Sequence, residues 1–339
     1  MSVAPGTSLR RRVLSGMQPS GELHLGNYLG ALRQWAASSV DPSLECFFCV
    51  VDAHAITVDY DPKELPGRVL DVVSGYLAGG IDANHSVLFL QSDVPAHMEL
   101  AWYLACVTPM GDLNRMTQFK DKSEQHKQNV NAGLFTYPVL MAADILVYRA
   151  EMVPVGDDQV QHLELAREIC RKFNARFGPV FPEPRPKLST TPRILGLDGK
   201  AKMSKSLGNT IALLDPPEVI AKKLKGAFTD PLKLGRGDPG RPEICNVFTM
   251  HKALSSPERV AEIEPNCRSG ALGCGDCKKM LTEVMVAELG PVRERALELR
   301  ADGKRVLRVL SEGGERARAV ADVTMKDVRA AMGLTTANR

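Results

Sequence analysis

Between residue 13 and about residue 194, short β-branched or aromatic runs alternate with longer stretches of helical spacing, and beyond Pro216 only the helical spacing persists. Strands separated by helix-length segments predict an α/β domain with a mostly parallel sheet, followed by an all-helical part. Residues 12–15 predict a first strand, and a Gly-rich turn leads from it into a helix over 26–36. The runs at 45–52 (ECFFCVVD) and 86–91 (SVLFLQ) read as buried strands. Residues 178–192 are rich in proline and read as an exposed connection, with a loop over 196–209 beyond it. Residues 218–224, 279–289, 292–300 and 304–310 carry helical spacing, broken by a Pro/Gly stretch at 231–242. The tetrad Thr324-Met325-Lys326-Asp327 matches a capping box that would open a last helix.

Composition narrows this picture without changing it. The 339 residues contain 44% hydrophobic and 24% charged positions, which fits a folded chain and excludes intrinsic disorder. No run approaches the roughly 18 apolar residues of a membrane span, and the start, MSVAPGTSLRRRVLSG, has arginines with no apolar segment after them. The expected location is therefore cytoplasmic. Forty-three Lys and Arg against forty Asp and Glu give a net charge of +3, too small to announce a nucleic-acid partner by bulk electrostatics.

The turn after the first strand reads Gly16-Met17-Gln18-Pro19-Ser20-Gly21-Glu22-Leu23-His24-Leu25-Gly26-Asn27. Gly21 and Gly26 have the glycine spacing of a Walker A loop, but Asn27 and Tyr28 stand where Lys and Ser/Thr would be, so a P-loop is rejected. A His-x-Gly-Asn tetrad opening a helix still suits a polyphosphate, because helix N-termini present unpaired N–H groups and imidazole can donate to phosphate oxygens. A second segment, Lys202-Met203-Ser204-Lys205-Ser206, places two lysines and two hydroxyls on a loop that could grip a pyrophosphate as charge develops. Each segment alone also reads as a plain turn or a solvated basic loop.

Together they resemble the HIGH and KMSKS signatures of the class I aminoacyl-tRNA synthetases, and the stretches GMQPSGELHLGNYLGALRQW, VVDAHAIT, MTQFKDKS, TYPVLMAADIL, VPVGDDQVQH and AKMSKS are similar to the tryptophanyl-tRNA synthetases over nearly the full length. The resemblance implies a Rossmann-like catalytic domain over 1–206, with a dimer-forming insertion around 108–140, and a helical anticodon-binding domain over 207–339. It implies ATP-dependent activation of L-tryptophan, with Mg2+, and transfer to tRNA(Trp) by a homodimer. His24, Lys120, Lys202 and Lys205 would stabilise charge on the phosphates. Gln18, Pro19, Ser20, Gly26, Asn27, Gly156, Asp157, Asp158, Ile194, Met203, Ser204 and Ser206 would border the nucleotide. Asp157 and Asp158 are equally placed to cap the following helix. Basic residues such as Arg305 and Arg308 are candidate tRNA contacts. A tyrosine-specific relative, or a paralogue that binds tryptophan or tRNA without catalysis, are the alternatives.

Tyr137, Met141 and Asp144 are spaced by four and three, so on a helix that Pro138 helps to start they share one face. Indole N–H is only a donor, and a buried carboxylate is its natural acceptor. The resemblance gives Asp144 that role, with Met141 on the ring and Tyr137 and Gln159 at the amino-acid end. Asp52 and His54, just past a buried strand, sit at the carboxyl edge where open α/β sheets bind ligands, so a pocket-lining role is expected. Leu14 departs from the phenylalanine expected beside the ring in close relatives.

Eight cysteines complete the candidate chemistry. Cys245, Cys267, Cys274 and Cys277 have 21, 6 and 2 residues between them, a pattern that fits four thiolates on zinc or on an iron-sulfur cluster. A subset of the resembled family carries a 4Fe-4S cluster on a nearly identical spacing, the first gap being one residue longer, so the cluster is expected first and zinc second. Cys46 and Cys49 would fall on opposite faces of a strand and could not chelate together. Cys106 and Cys170 are expected to be buried packing residues.

Overall fold

A computed structural model describes residues 10–117, 130–156, 159–188, 194–204 and 207–334. The first half alternates strand and helix: β1 (Arg11–Met17), α1 (Leu25–Asn27), α2 (Arg33–Ser39), β2 (Leu44–Val50), α3 (Asp52–Ala55), α4 (Leu65–Ala78), β3 (Val87–Leu90), α5 (Ala96–Ala105), α6 (Met110–Asn114), α7 (Ala132–Val147), β4 (Met152–Val155), α8 (Val160–Phe177) and β5 (Arg185–Leu188). A π-helical turn, Tyr28–Leu32, joins α1 to α2. Helices follow: α9 (Pro217–Lys225), α10 (Asn246–Leu254), α11 (Pro257–Arg268), α12 (Cys274–Ala301) and α13 (Gly303–Ala331). No helix among the described residues is long and apolar enough to cross a membrane.

The five strands are parallel in the order β3-β2-β1-β4-β5, the parallel sheet expected from the alternation and the Rossmann-like fold that the resemblance implied. Because side chains alternate across a strand, β1, β2 and β3 each feed two cores. Val13, Cys46, Phe48, Val50 and Leu88 belong to one, and Leu14, Phe47, Cys49, Val87 and Phe89 to the other. Trp35 stacks on Phe48 at 5.4 Å on the first face, and Tyr148 stacks on Phe47 at 4.6 Å on the second. Cys46 and Cys49 therefore face opposite ways.

The last helix lies along the outer edge of β3. A Cβ added at Gly313 would stand 1.8 Å from the Leu88 carbonyl oxygen, so only glycine permits this approach. From that crossing α13 reaches both faces, giving Val306 and Leu310 to one core and Ala317, Ala321, Met325 and Val328 to the other. Arg316 donates to the carbonyls of Ala83 and Ser86 at 3.1 and 3.0 Å, and Arg329 pairs with Glu99 at 2.6 Å.

Several expectations need correction. Residues 324–327 do not open a helix; Thr324 is 1% exposed inside α13, where apolar burial overrides its capping propensity. Pro138 lies within α7, which begins at Ala132 under a cap from the Asn131 side chain to the Leu134 N–H at 2.9 Å. The patterns at 279–289 and 292–300 are one helix containing Pro291. The connection at 178–192 contains β5, which tolerates Pro186 because an edge strand pairs on one side only. Cys170 is buried but Cys106 is exposed.

Candidate active site

In the sheet, β1 has β2 on one side and β4 on the other, so the direction of winding switches between β1 and β4. A crevice is expected past the carboxyl ends of strands at such a point. A cavity of about 750 Å³ is found there, lined by Leu14 to Gln18 from the end of β1, Val153 to Gly156 from the end of β4, and His54, Tyr137, Met141, Asp144 and Gln159. Ser20, His24, Gly26 and Asn27 line it from one motif, and Lys202, Met203 and Ser204 from the other. The two signature segments, far apart in sequence, thus meet over one cavity.

His24 is the N-cap of α1 in a reciprocal box: its Nδ1 accepts the Asn27 N–H at 3.3 Å, and the Asn27 side-chain oxygen accepts the His24 N–H at 3.0 Å. With Nδ1 accepting, the ring hydrogen sits on Nε2, where it is a donor. Burial, and then the neighbouring Lys202 cation, push the imidazole down to about 4, so the ring is neutral at physiological pH. A neutral donor beside a lysine and a helix N-terminus is suited to phosphate oxygens, where it adds a directed hydrogen bond to the fixed charge.

At the other end of the cavity Asp144, 4% exposed, accepts three side-chain hydrogen bonds at 2.7 Å. Gln91 Nε2 and His97 Nδ1 reach Oδ1, and His54 Nε2 reaches Oδ2. Burial alone would raise this carboxyl, but His54, by charge and hydrogen bond, together with the His97 hydrogen bond, holds it well below the usual carboxylate range. Of the roughly four lone-pair sites on a carboxylate, three are taken, and one on Oδ2 remains for a donor in the cavity. Tyr137 lies within hydrogen-bond distance of His162 Nε2 at 2.7 Å, and burial pushes its phenol up to about 12. Leu14 also lines the cavity.

Not every candidate lines this space. Pro19 is buried beside it, and Ile194 belongs to the core on the first sheet face. Lys120, Asp157, Asp158, Lys205 and Ser206 lie outside the described residues. Asp52 accepts the Ser92 N–H at 3.0 Å, which ties the end of β2 to the end of β3. Gln91, His97 and Tyr148 went unnoticed in the sequence, because their roles depend on contacts across 47 to 53 positions rather than on any spacing along an element.

The four candidate ligand cysteines sit at helix ends. Cys245 caps α10, Cys267 lies in the last turn of α11, and Cys274 and Cys277 open α12. Burial raises the Cys245 and Cys267 thiols and pushes Cys277 up to about 12; Cys245, Cys267 and Cys274 all add to the rise at Cys277, so the four sulfurs lie within electrostatic reach of one another. Lys233, itself buried, donates to the Cys267 carbonyl at 3.1 Å and lowers the Cys267 and Cys277 thiols in opposition. A Cβ at Gly240 would stand 2.6 Å from Cys267 Sγ, so glycine leaves room for the sulfur. Among the described residues no three His, Cys, Asp or Glu side chains form a ready site for one metal ion.

Comparison with known proteins agrees with this geometry. The model of the family "tRNA synthetases class I (W and Y)" matches residues 8–290. A tryptophan–tRNA ligase of Deinococcus radiodurans is 47% identical over 325 residues, covering 95% of this chain and 98% of the relative. One from Parasynechococcus marenigrum is 48% identical over 335 residues, covering 96% and 98%. The crystal structure of tryptophanyl-tRNA synthetase from Campylobacter jejuni, complexed with ADP and tryptophan, superposes with a TM-score of 0.83 at 37% identity, covering 95% of this chain and 99% of that one. The chain belongs to the class I tRNA synthetases, among the tryptophan–tRNA ligases.

Proposed function

We infer that the cavity holds tryptophan at the Asp144 end and ATP at the His24 end, and that the chain is a tryptophan–tRNA ligase. The observation that carries this is the single cavity shared by both signature segments and by a buried carboxylate with one acceptor site left. The tryptophan carboxylate attacks the α-phosphorus of ATP, forming an acyl–phosphate bond while the bond to pyrophosphate breaks. A ribose hydroxyl of tRNA(Trp) then attacks the acyl carbon and AMP leaves. No protein nucleophile is needed, so catalysis rests on alignment and charge stabilisation. His24 donates from Nε2, and Lys202, with Lys120 and Lys205, supplies positive charge; Mg2+ accompanies ATP as its counter-cation. Gln18, Ser20, Gly26, Asn27, Gly156, Met203 and Ser204 border the nucleotide, Asp157, Asp158 and Ser206 complete that side, and Pro19 and Ile194 stay buried outside the cavity. Tyr137 and Gln159 hold the amino-acid end, Met141 packs on the ring and His54 flanks it. Tryptophan-dependent ATP–pyrophosphate exchange by the purified chain tests this. Exchange that requires tyrosine instead, or no exchange in the presence of Mg2+, would overturn it.

The catalytic unit spans residues 1–206, with the segment around 108–140 serving dimer formation, and the helical part from 207 reads the anticodon. A homodimer is supported by an apolar stripe along α5 and its C-cap, where Met98, Trp102 and Cys106 follow one another at intervals of four and Trp102 is 70% exposed. Neighbouring exposed apolar side chains of this kind suit an association surface. A 4Fe-4S cluster would be held by Cys245, Cys267, Cys274 and Cys277. The support is a donor set of four thiols within electrostatic reach and the space kept by Gly240. Such a group would add folding free energy among the ends of α10, α11 and α12. Arg305 and Arg308 contact tRNA phosphates in this reading, and the enzyme works in the cytoplasm.

A further inference from the structure

Two of the three groups that hold Asp144, Gln91 and His97, do not line the cavity. Gln91 and His97 are 0% exposed, and both bond Oδ1. The Gln91 orientation is fixed, since its Oε1 accepts the Ala53 N–H at 3.1 Å, which turns Nε2 toward the carboxylate at 2.7 Å. His97 is fixed in the same way. A carboxylate only accepts, so Nδ1 carries the hydrogen, and in the neutral ring Nε2 then accepts from the Tyr148 hydroxyl at 2.8 Å. Tyr148 is fully buried, and its ring is wedged between Phe47 at 4.6 Å and Phe89 at 5.4 Å. The order Tyr148, His97, Asp144 is a relay of oriented donors anchored in the aromatic core.

We propose that His97, oriented by Tyr148, is a positioning residue for amino-acid selection: with Gln91 it fills both lone pairs of Asp144 Oδ1, so that only Oδ2, shared with His54, can receive a ring N–H. Without this clamp the carboxylate could rotate about its χ2 and present either oxygen to a range of donors or to water. With it, an amino acid whose ring lacks the N–H leaves a buried acceptor unmatched, and that mismatch supplies discrimination. The inference rests on the reading that Asp144 accepts the indole N–H.

The test compares tryptophan with β-(benzothiophen-3-yl)alanine, in which sulfur replaces the ring N–H, by pyrophosphate exchange in four variants. His97→Leu should lower the preference for tryptophan about tenfold, through tryptophan KM rather than kcat. Tyr148→Phe should lower it about threefold, since it removes only the hydroxyl that orients the ring. His97→Asn, whose amide can stand where Nδ1–H stood, should restore most of the preference. Asp144→Asn is the reference and should lose more than any of them. If His97→Leu fails to fold, Tyr148→Phe decides. Loss of kcat alike for both amino acids, or a preference within twofold of the parent in His97→Leu and Tyr148→Phe while Asp144→Asn loses it, would overturn the positioning role. An unchanged preference in Asp144→Asn would instead overturn the indole-acceptor reading itself.

Discussion

Tyr28 gives its phenol hydrogen to the Glu288 carboxylate at 3.0 Å, joining the helix that follows His24 and Asn27 to α12, which begins at Cys274. Burial first, then Glu288, push the phenol up to about 12, so it stays a donor across the working range of pH. Arg33 approaches the same carboxylate at 3.8 Å. Fourteen residues of helix separate Glu288 from Cys274, roughly 21 Å at 1.5 Å per residue. Tyr28→Phe should cost about 1 kcal/mol of stability and slow exchange severalfold at unchanged tryptophan KM. Denaturant melts and exchange kinetics check this, and an unaltered kcat would reduce the bond to packing.

His24 should make the chain acid-sensitive in a defined window. The unfolded imidazole takes a proton near pH 6.5, whereas the folded one does so at about 4. Protons therefore favour the unfolded chain between those values, and the stabilisation present above pH 6.5 is lost as pH falls toward 4. Melting temperatures of the parent and His24→Gln between pH 7.5 and 4.5 should converge at the acid end. An acid limb of exchange at pH 6.5 that disappears in His24→Gln would contradict a neutral ring.

Asp144→Ala removes the acceptor for three buried donors and, in the proposed reading, for the indole. The expected loss in kcat/KM for tryptophan is about 2 to 4 kcal/mol, with a lowered melting temperature alongside. Steady-state exchange and calorimetry separate the two effects. A drop in activity with ATP affinity also lost would show that the amino-acid and nucleotide ends are not separable.

For the cysteines, anaerobically purified protein should absorb broadly near ~400 nm and contain iron and sulfide. Cys274→Ser should lose both and impair tRNA charging more than tryptophan-dependent exchange. Elemental analysis showing zinc without iron would assign the thiols to zinc, and equal loss of both activities would tie the site to the active centre.

Trp102→Glu should convert a dimer to a monomer, because a buried unpaired carboxylate costs several kcal/mol per interface. Light scattering at micromolar concentration reads the outcome directly. A parent that is already monomeric would remove the proposed role of α5.

Sequence patterning was sufficient for the strand and helix alternation because the central strands are apolar on both faces and helices separate them. His24, Met141 and Asp144 were legible because they belong to local motifs with their own spacing, although the resemblance rather than the spacing joined those motifs into one site. Patterning failed where tertiary contacts decide. β5 carries Pro186 and looks like a connection until β4 pairs with it. Thr324 looks like a cap until burial draws it into α13. His97 and Tyr148 are 51 residues apart and carry no local signal at all.

The position of α13 against β3 also bears on how the chain is made. Ser86 and Arg316 touch although 230 residues separate them. A ribosome adding ~5–20 residues per second leaves the outer rung of the sheet bare for roughly ten to fifty seconds before its covering helix is synthesised. During that interval the unpaired amides of residues 87–90 are open to the edge of any other nascent sheet. Slow translation between β3 and Gly313 would therefore raise the yield of aggregated product, and a holdase that shields this strand would lower it.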